Sequence, residues 1–321
     1  MATTADRYRR FGSHEARGES PCLQEWSAGV AADPELIALL DELPSPKRQP
    51  NLLFAAARYT GIAPGSYASF RAAVLAAWPL VRTVILARRT QTNEVNRCAI
   101  LLPLLAALPQ PLALLEVGAS AGLNLHPDRF SYSYGGQVHL DPPGGAGAAL
   151  LSCAIDGPVP LPAALPQVAW RAGIDLNPLD VTDPEDVRWL ETLVWPEQDD
   201  RRERLAAAID VARGDPPYLV TGDMNDKVAD LAARAPADAT LVIFHSAALT
   251  YLDAAGRARF IATVTELPGS WVAFEDPGVI PFPDGSLPPS PDPSTSQDIL
   301  ALDGRPVAYG APHGQSLHWF G

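Results

Sequence analysis

Lysine is almost missing from this chain: Lys47 and Lys227 are the only two in 321 residues, and the formal net charge is -13. Binding a polyanion needs concentrated cations, so nucleic acid is not an expected partner. A small or cationic ligand fits that balance better. Also missing is any run of about 18 apolar residues, the length a membrane-spanning helix needs, so no membrane partner is expected. The opening letters, MATTADRYRRFG, contain no apolar core of a secretory signal, which makes the cytoplasm the expected compartment. Cysteine is scarce and scattered. Cys22, Cys98 and Cys153 are odd in number and far apart, so they form neither a disulfide framework nor a C-x-x-C metal site. No metal site is expected.

Alternating strand patterns are absent before about residue 110, and residues 1–110 read as a helical N-terminal cap. Predicted helices run over Asp33 to Leu43, with Asp33 as N-cap and Pro34 at the first position, then Gln49 to Tyr59, Tyr67 to Arg89, and Asn93 to Leu108. Pro79 and Pro103 predict a kink or break in the last two. A polar knot, Arg88-Arg89-Thr90-Gln91-Thr92-Asn93-Glu94-Val95-Asn96-Arg97, runs into the start of the last of these helices. It reads either as a cap with a solvated first turn or as the wall of a substrate site formed by Thr92, Asn93, Glu94 and Asn96.

The text then changes. Leu112 to Asn124, LALLEVGASAGLN, is an apolar run broken by Glu116 that opens into glycines. It reads as a strand buried on both faces, followed by a tight turn that lets a ligand approach the backbone. Four further strands are predicted, Val168 to Asp175, Tyr218 to Thr221, Ala239 to Phe244 and Trp271 to Phe274, separated by helices. That alternation predicts an α/β protein with a doubly wound, mostly parallel sheet, in which ligands bind beyond the carboxyl ends of the strands. Those ends carry Glu116 to Gly122, Asp175, Asp223, His245 and Glu275. Two departures stand out. Phe130 to Leu140 predicts a hairpin around Gly135-Gly136, leading into a proline- and glycine-rich stretch, so residues 130–166 read as an insertion. Near the end, Ile299 to Leu302, Asp303-Gly304 and Arg305 to Ala308 predict an antiparallel hairpin.

The pentapeptide Gly118-Ala119-Ser120-Ala121-Gly122 serves two chemistries. As G-x-S-x-G it spells a nucleophile elbow, and Ser120 is followed by acids (Asp223, Glu275) and histidines (His313, His318) in hydrolase order. Helical text before residue 110 argues against that fold, which needs strands there. As a cofactor loop it suits a nucleoside ligand, but a dinucleotide would want G-x-G-x-x-G, and the chain has G-x-x-x-G instead.

Glu116-x-Gly118-x-x-x-Gly122 resembles the first motif of class I S-adenosylmethionine-dependent methyltransferases, and the antiparallel ending resembles that fold's terminal hairpin. More closely, TQTNEVNR, LLEVGASAGLNL, GIDLNPLDVTDPEDVRWL and PHGQSLHW resemble an uncharacterised bacterial family whose members are assigned this fold. The likeness covers roughly residues 45 to 321. It implies a seven-stranded, Rossmann-like domain over 111–321 that binds S-adenosylmethionine and transfers a methyl group to a small-molecule acceptor. Cofactor contacts would fall to Glu116, Gly118, Ala119, Ser120, Gly122 and Asn124, to Asp175 for the ribose, and to Asp223 and Met224 for the adenine. His245 would serve as general base, with Tyr251 and Glu275 as partners. One departure is that Asp175 lies 59 residues after Glu116, far beyond a short crossover. A non-catalytic domain that binds a nucleoside-like ligand, and a serine hydrolase using Ser120, are the alternatives.

Overall fold

A computed structural model describes residues 3–91, 93–283, 285–292 and 295–321. In chain order the helices and strands are α1 (Thr4–Arg10), α2 (Pro21–Ala31), α3 (Pro34–Asp41), α4 (Pro50–Tyr59), α5 (Tyr67–Ala76), α6 (Trp78–Ala87), α7 (Arg97–Ala107), β1 (Leu112–Val117), β2 (Ser131–Tyr134), β3 (Val138–Leu140), β4 (Leu150–Asp156), β5 (Val168–Asp175), α8 (Pro184–Leu193), α9 (Asp199–Gly214), β6 (Tyr218–Thr221), α10 (Met224–Ala232), β7 (Thr240–Ser246), α11 (Ala254–Glu266), β8 (Ser270–Glu275), β9 (Asp298–Leu302), β10 (Arg305–Gly310) and β11 (Ser316–Trp319). They form two compact units, residues 1–92 with 182–203, and residues 93–181 with 204–321. The chain therefore does not divide by a single cut near residue 110. Helix α8 joins the first unit, and α7 belongs with the sheet.

The first unit is helical, and its caps follow the sequence. Asp33 accepts the amides of Glu35 and Leu36 ahead of Pro34, and Asp183 does the same for Glu185 ahead of Pro184. Its core is aromatic: Trp26 stacks on Phe70 at 4.1 Å, and Phe54 meets Tyr8, Phe11, Trp26 and Phe70. The stretch Tyr67 to Arg89 is two helices, α5 and α6, meeting at 87°. Pro79 sits in the first turn of α6, where its missing N–H costs nothing. No single helix among the described residues is long and apolar enough to cross a membrane.

The second unit holds an eleven-stranded sheet in the order β3-β2-β4-β11-β10-β9-β8-β7-β1-β5-β6. Strands β1, β5, β6, β7 and β8 are mutually parallel, and the chain moves from β1 outward through β5 and β6, then returns to β7 on the other side of β1. The switch point between β1 and β7 is where such sheets open a crevice. The expected count of seven strands is corrected to eleven. Residues 130–166 are not an excursion from the sheet: the hairpin β2–β3 and the unforeseen strand β4 extend it, with β4 running parallel to both β2 and β11. Glycines and prolines on either side hid β4, yet it covers the open edge of β11. The terminal hairpin forms as expected, β9 and β10 turning at Asp303-Gly304.

Register divides the side chains of this sheet between two faces. Leu115, Val117, Ile174, Ile243, Trp271 and Ala273 pack with Val228 and Leu231 of α10 and Phe260 and Val264 of α11. Glu116, paired in register with Phe244 and through it with Val272 and Leu302, lies on the opposite face. By the two-residue repeat, Ser246, Phe274 and Asp298 share that face. Helix α7 packs there against β4, β8 and β9. It runs as one helix through Pro103, where a kink or break was expected. The carbonyl that Pro103 leaves without a helical donor is that of Ala99, and it accepts the Tyr134 hydroxyl at 2.7 Å.

Candidate functional site

The glycine turn after β1 packs tightly. Gly118 has φ of 74°, and a Cβ there would sit 2.6 Å from the Cβ of Ala248, beyond β7. From the other side, a Cβ on Gly173 of β5 would sit 2.5 Å from that of Ala119. Both positions need glycine so that the loop can lie against its neighbouring strands. Every amide of the turn is already committed. Gly118 and Ala119 donate to the Ile174 carbonyl at 2.8 and 3.1 Å, and Gly122 donates to Ala119 at 2.7 Å. Ser120 donates to Asp175 Oδ2 at 2.8 Å, and Ala121 to Asn93 Oδ1 at 3.3 Å. Only a short 3-10 turn, Leu123–Leu125, follows, with no α-helix. An incoming phosphate would find neither free N–H donors nor a helix N-terminus.

Acceptors are what the site offers. Asp175 holds the Ser120 and Asn177 amides, one on each oxygen at 2.8 Å, and each oxygen keeps a second lone pair. Glu116 Oε1 accepts Asn124 Nδ2 at 3.2 Å, while Oε2 is buried without a partner. Burial raises the Glu116 carboxyl to about 8, against the pull of the Asn124 donor and the Arg97 charge. At neutral pH it is therefore mostly protonated. Asn124 also lies 3.7 Å from the buried Cys98 thiol, itself pushed up by burial.

Ser120 has φ of 51°, as an elbow nucleophile would. Its hydroxyl, however, is held by Asn93 Nδ2 at 2.6 Å, an amide that cannot take a proton from it. The polar knot thus reaches the turn through Asn93. Asn96 turns elsewhere, its Nδ2 donating to the carbonyls of Ser152 and His313 at 3.1 and 3.3 Å. Glu94 Oε1 accepts the Asn96 amide at 3.1 Å and lies 3.5 Å from Arg204. Thr92 lies outside the described residues.

Sequence reading passed over Arg97 and Asp298. Arg97, at the first position of α7, is buried and donates to the Pro312 carbonyl at 2.8 Å and to the carbonyl and hydroxyl of Ser246 at 3.3 Å. It joins the end of β7 to the turn before β11. Asp298 opens β9 on the same face as Glu116 and is 4% exposed. Burial raises it to about 7, with Arg97 pulling the other way. Their signal lay in the sequence, since one arginine ends the polar knot and one acid opens an apolar strand, but only topology brings them to the same sheet end.

His245 and Glu275 lie on the other face, away from Glu116. His245 is fully buried, with Nδ1 2.7 Å from Glu275 Oε1 and Nε2 accepting Trp271 Nε1–H at 2.9 Å. With both nitrogens engaged, the ring is the neutral tautomer donating from Nδ1. Glu275 Oε1 also accepts the amides of Ala248 and Leu249 at 2.8 and 3.0 Å. Burial raises the Glu275 carboxyl, but these donors outweigh it and hold it below the usual range. Residues expected to face an acceptor therefore form a sealed clamp, and it fixes the segment that leans on Gly118. Tyr251 stands on the surface, 70% exposed. Asp223 caps α10 through the Asn225 amide at 2.8 Å, with Met224 next to it as the first residue of α10, beyond the end of β6. His318 bonds Asp156 at 2.6 Å. No metal-holding group of three or more His, Cys, Asp or Glu occurs among the described residues.

The fold is thus that of an α/β protein with a large, mostly parallel sheet and a glycine turn at its switch point. The chain belongs to a bacterial family described as "Uncharacterized protein conserved in bacteria (DUF2332)", whose model matches residues 5–65 and 61–319. No curated protein matches it.

Proposed function

We propose that the sheet end at β1, β5 and β6 is Rossmann-like in the manner of class I methyltransferases. There it binds S-adenosylmethionine and supports methyl transfer to a small-molecule acceptor. One observation carries this reading: the glycine turn has spent all its donors and presents acceptors. Such a turn suits a cationic ligand rich in hydroxyls and repels a pyrophosphate. The unpartnered Glu116 Oε2 fits an ammonium donor, and the Asp175 oxygens fit ribose hydroxyls. Asp223 and Met224, beyond the end of the next parallel strand, would flank the adenine.

Held by Glu116, Asp175, Asp223 and Met224, such a cofactor would supply an electrophilic methyl group for the lone pair of an acceptor. This chain's part is alignment. Asn93 and Asp175 hold the turn from two sides, and Glu275 holds Ala248 and Leu249 against Gly118. His245, with both nitrogens engaged, shapes the clamp and takes no proton from the acceptor. Occupation of Glu116 Oε2 by a cation would draw the carboxyl down from about 8 and release a proton near neutral pH.

Calorimetry in buffers of different ionisation enthalpy tests both points. Saturable binding of S-adenosylmethionine and S-adenosylhomocysteine with proton release is expected. No binding at millimolar ligand would overturn the cofactor reading, and binding without proton release would remove Glu116 from it. The sealed His245 favours a second reading, a binder that transfers no methyl. Turnover of methyl-labelled cofactor separates the two.

A further inference from the structure

A concavity of the sheet unit lies away from the glycine turn, beside α11 and under the loop after β8, with a volume of about 520 Å³. That is within the range that takes a small molecule. Ile261, Val279, Ile280, Phe282 and Leu287 give it an apolar lining, and among the described residues the one charged side chain in its wall is Arg257. Arg257 is half-buried and half-used. Its Nε donates to the carbonyls of Leu249 and Leu252 at 3.1 Å, and Nη2 reaches that of Thr250 at 3.5 Å. Nη1 makes no hydrogen bond to a described residue, and no described carboxylate pairs with this guanidinium. A planar fork fixed by its own backbone contacts, beside an apolar hollow, is preorganised for an anion at the end of an apolar body.

We propose that this cavity binds an amphipathic monocarboxylate, its carboxylate on Arg257 Nη1 and its apolar part against Ile261, Ile280 and Phe282. The assignment goes beyond the cofactor reading and does not depend on it, because the two sites share no residue.

Octanoate and octan-1-ol serve as a matched pair of probes, titrated calorimetrically into the unaltered protein. Octanoate should bind saturably and at least about tenfold more tightly than octanol, the margin expected for a charge-assisted hydrogen bond. Ala258→Phe, on the cavity wall of α11, should abolish binding of both while leaving the melting temperature unchanged. Arg257→Gln should bring octanoate down to the level of octanol. Equal binding of the two probes by the unaltered protein would overturn the carboxylate assignment whatever the variants do. No saturable octanoate binding, or octanoate binding that Ala258→Phe leaves intact, would overturn the site.

Discussion

Glu116→Gln replaces a buried carboxyl with a neutral group of the same shape, and its effect should change with pH in a way fixed by the site. The ordinary carboxyl value is 4.5, and burial raises Glu116 to about 8 in the folded chain. Below the lower value both folded and unfolded chains hold the proton, and the residue is neutral to stability. Between the two the unfolded chain has lost its proton and the folded one has kept it, so stability falls as pH rises. Above about 8 the loss is complete. At about 1.4 kcal/mol per pH unit, the interval corresponds to roughly 5 kcal/mol as an upper bound. Gln escapes the whole of it, since its Oε1 can still accept Asn124 Nδ2, although its amide nitrogen inherits the unpartnered position of Oε2 at a cost of about 1–3 kcal/mol. The variant should therefore match or trail the wild type near pH 5 and exceed it by about 2–4 kcal/mol near pH 9. Asp298 titrates in the same window but is common to both proteins, so it cancels in the difference. Chemical denaturation of the pair across that range measures the effect. A difference that stays constant with pH, or that favours the wild type at the alkaline end, would refute the assignment of a neutral buried carboxyl.

Gly173→Ala should push Ala119 out of place, because the new Cβ would sit 2.5 Å from that of Ala119 and 2.8 Å from Leu219 Cδ2. A loss of about 1–3 kcal/mol in stability is expected, together with weaker cofactor binding in the same calorimetric assay. Glu275→Ala leaves His245 and two buried amides without their acceptor, so about 3–5 kcal/mol should be lost in urea denaturation. Its pH dependence has the opposite sign to that of Glu116. The Glu275 carboxyl is held below its ordinary value, so its contribution is present above that value and is lost as pH falls through the lower folded one. The gap between wild type and variant should therefore narrow in acid. Asp183→Ala removes the cap of α8 and should cost the helical unit about 1 kcal/mol, with Asp183→Gly costing less, as thermal melting of the two variants would show.

Strands β1, β5, β6, β7 and β8 were legible to within a residue or two, because a parallel sheet buried on both faces writes itself as short apolar runs between helices. The glycine turn and the terminal Asp303-Gly304 hairpin were legible for a related reason, since both need backbone conformations that few residues adopt. β4 was not, because Leu150 to Asp156 alternates between exposed and buried positions amid glycines and prolines that read as loop. α1 and α2 also passed unread, their short apolar faces lying in polar text. In the site, residue types pointed to Glu116, Asp175 and Asn93, which do meet around the turn. They could not show which face a strand-end residue occupies. His245 and Glu116 look equivalent as letters, yet a one-residue difference in register puts them on opposite sides of the sheet. Arg97 and Asp298, 201 positions apart in the sequence, share an environment that only the packing of α7 over β9 creates.

Titration of S-adenosylhomocysteine followed by the backbone amide signals of the protein tests the central claim most directly. Binding at the glycine turn should shift the amides of Ser120, Ala121 and Asn177, whose hydrogen bonds to Asp175 and Asn93 would be polarised by the ligand. Shifts confined to other parts of the sheet unit, or none at millimolar ligand, would contradict it.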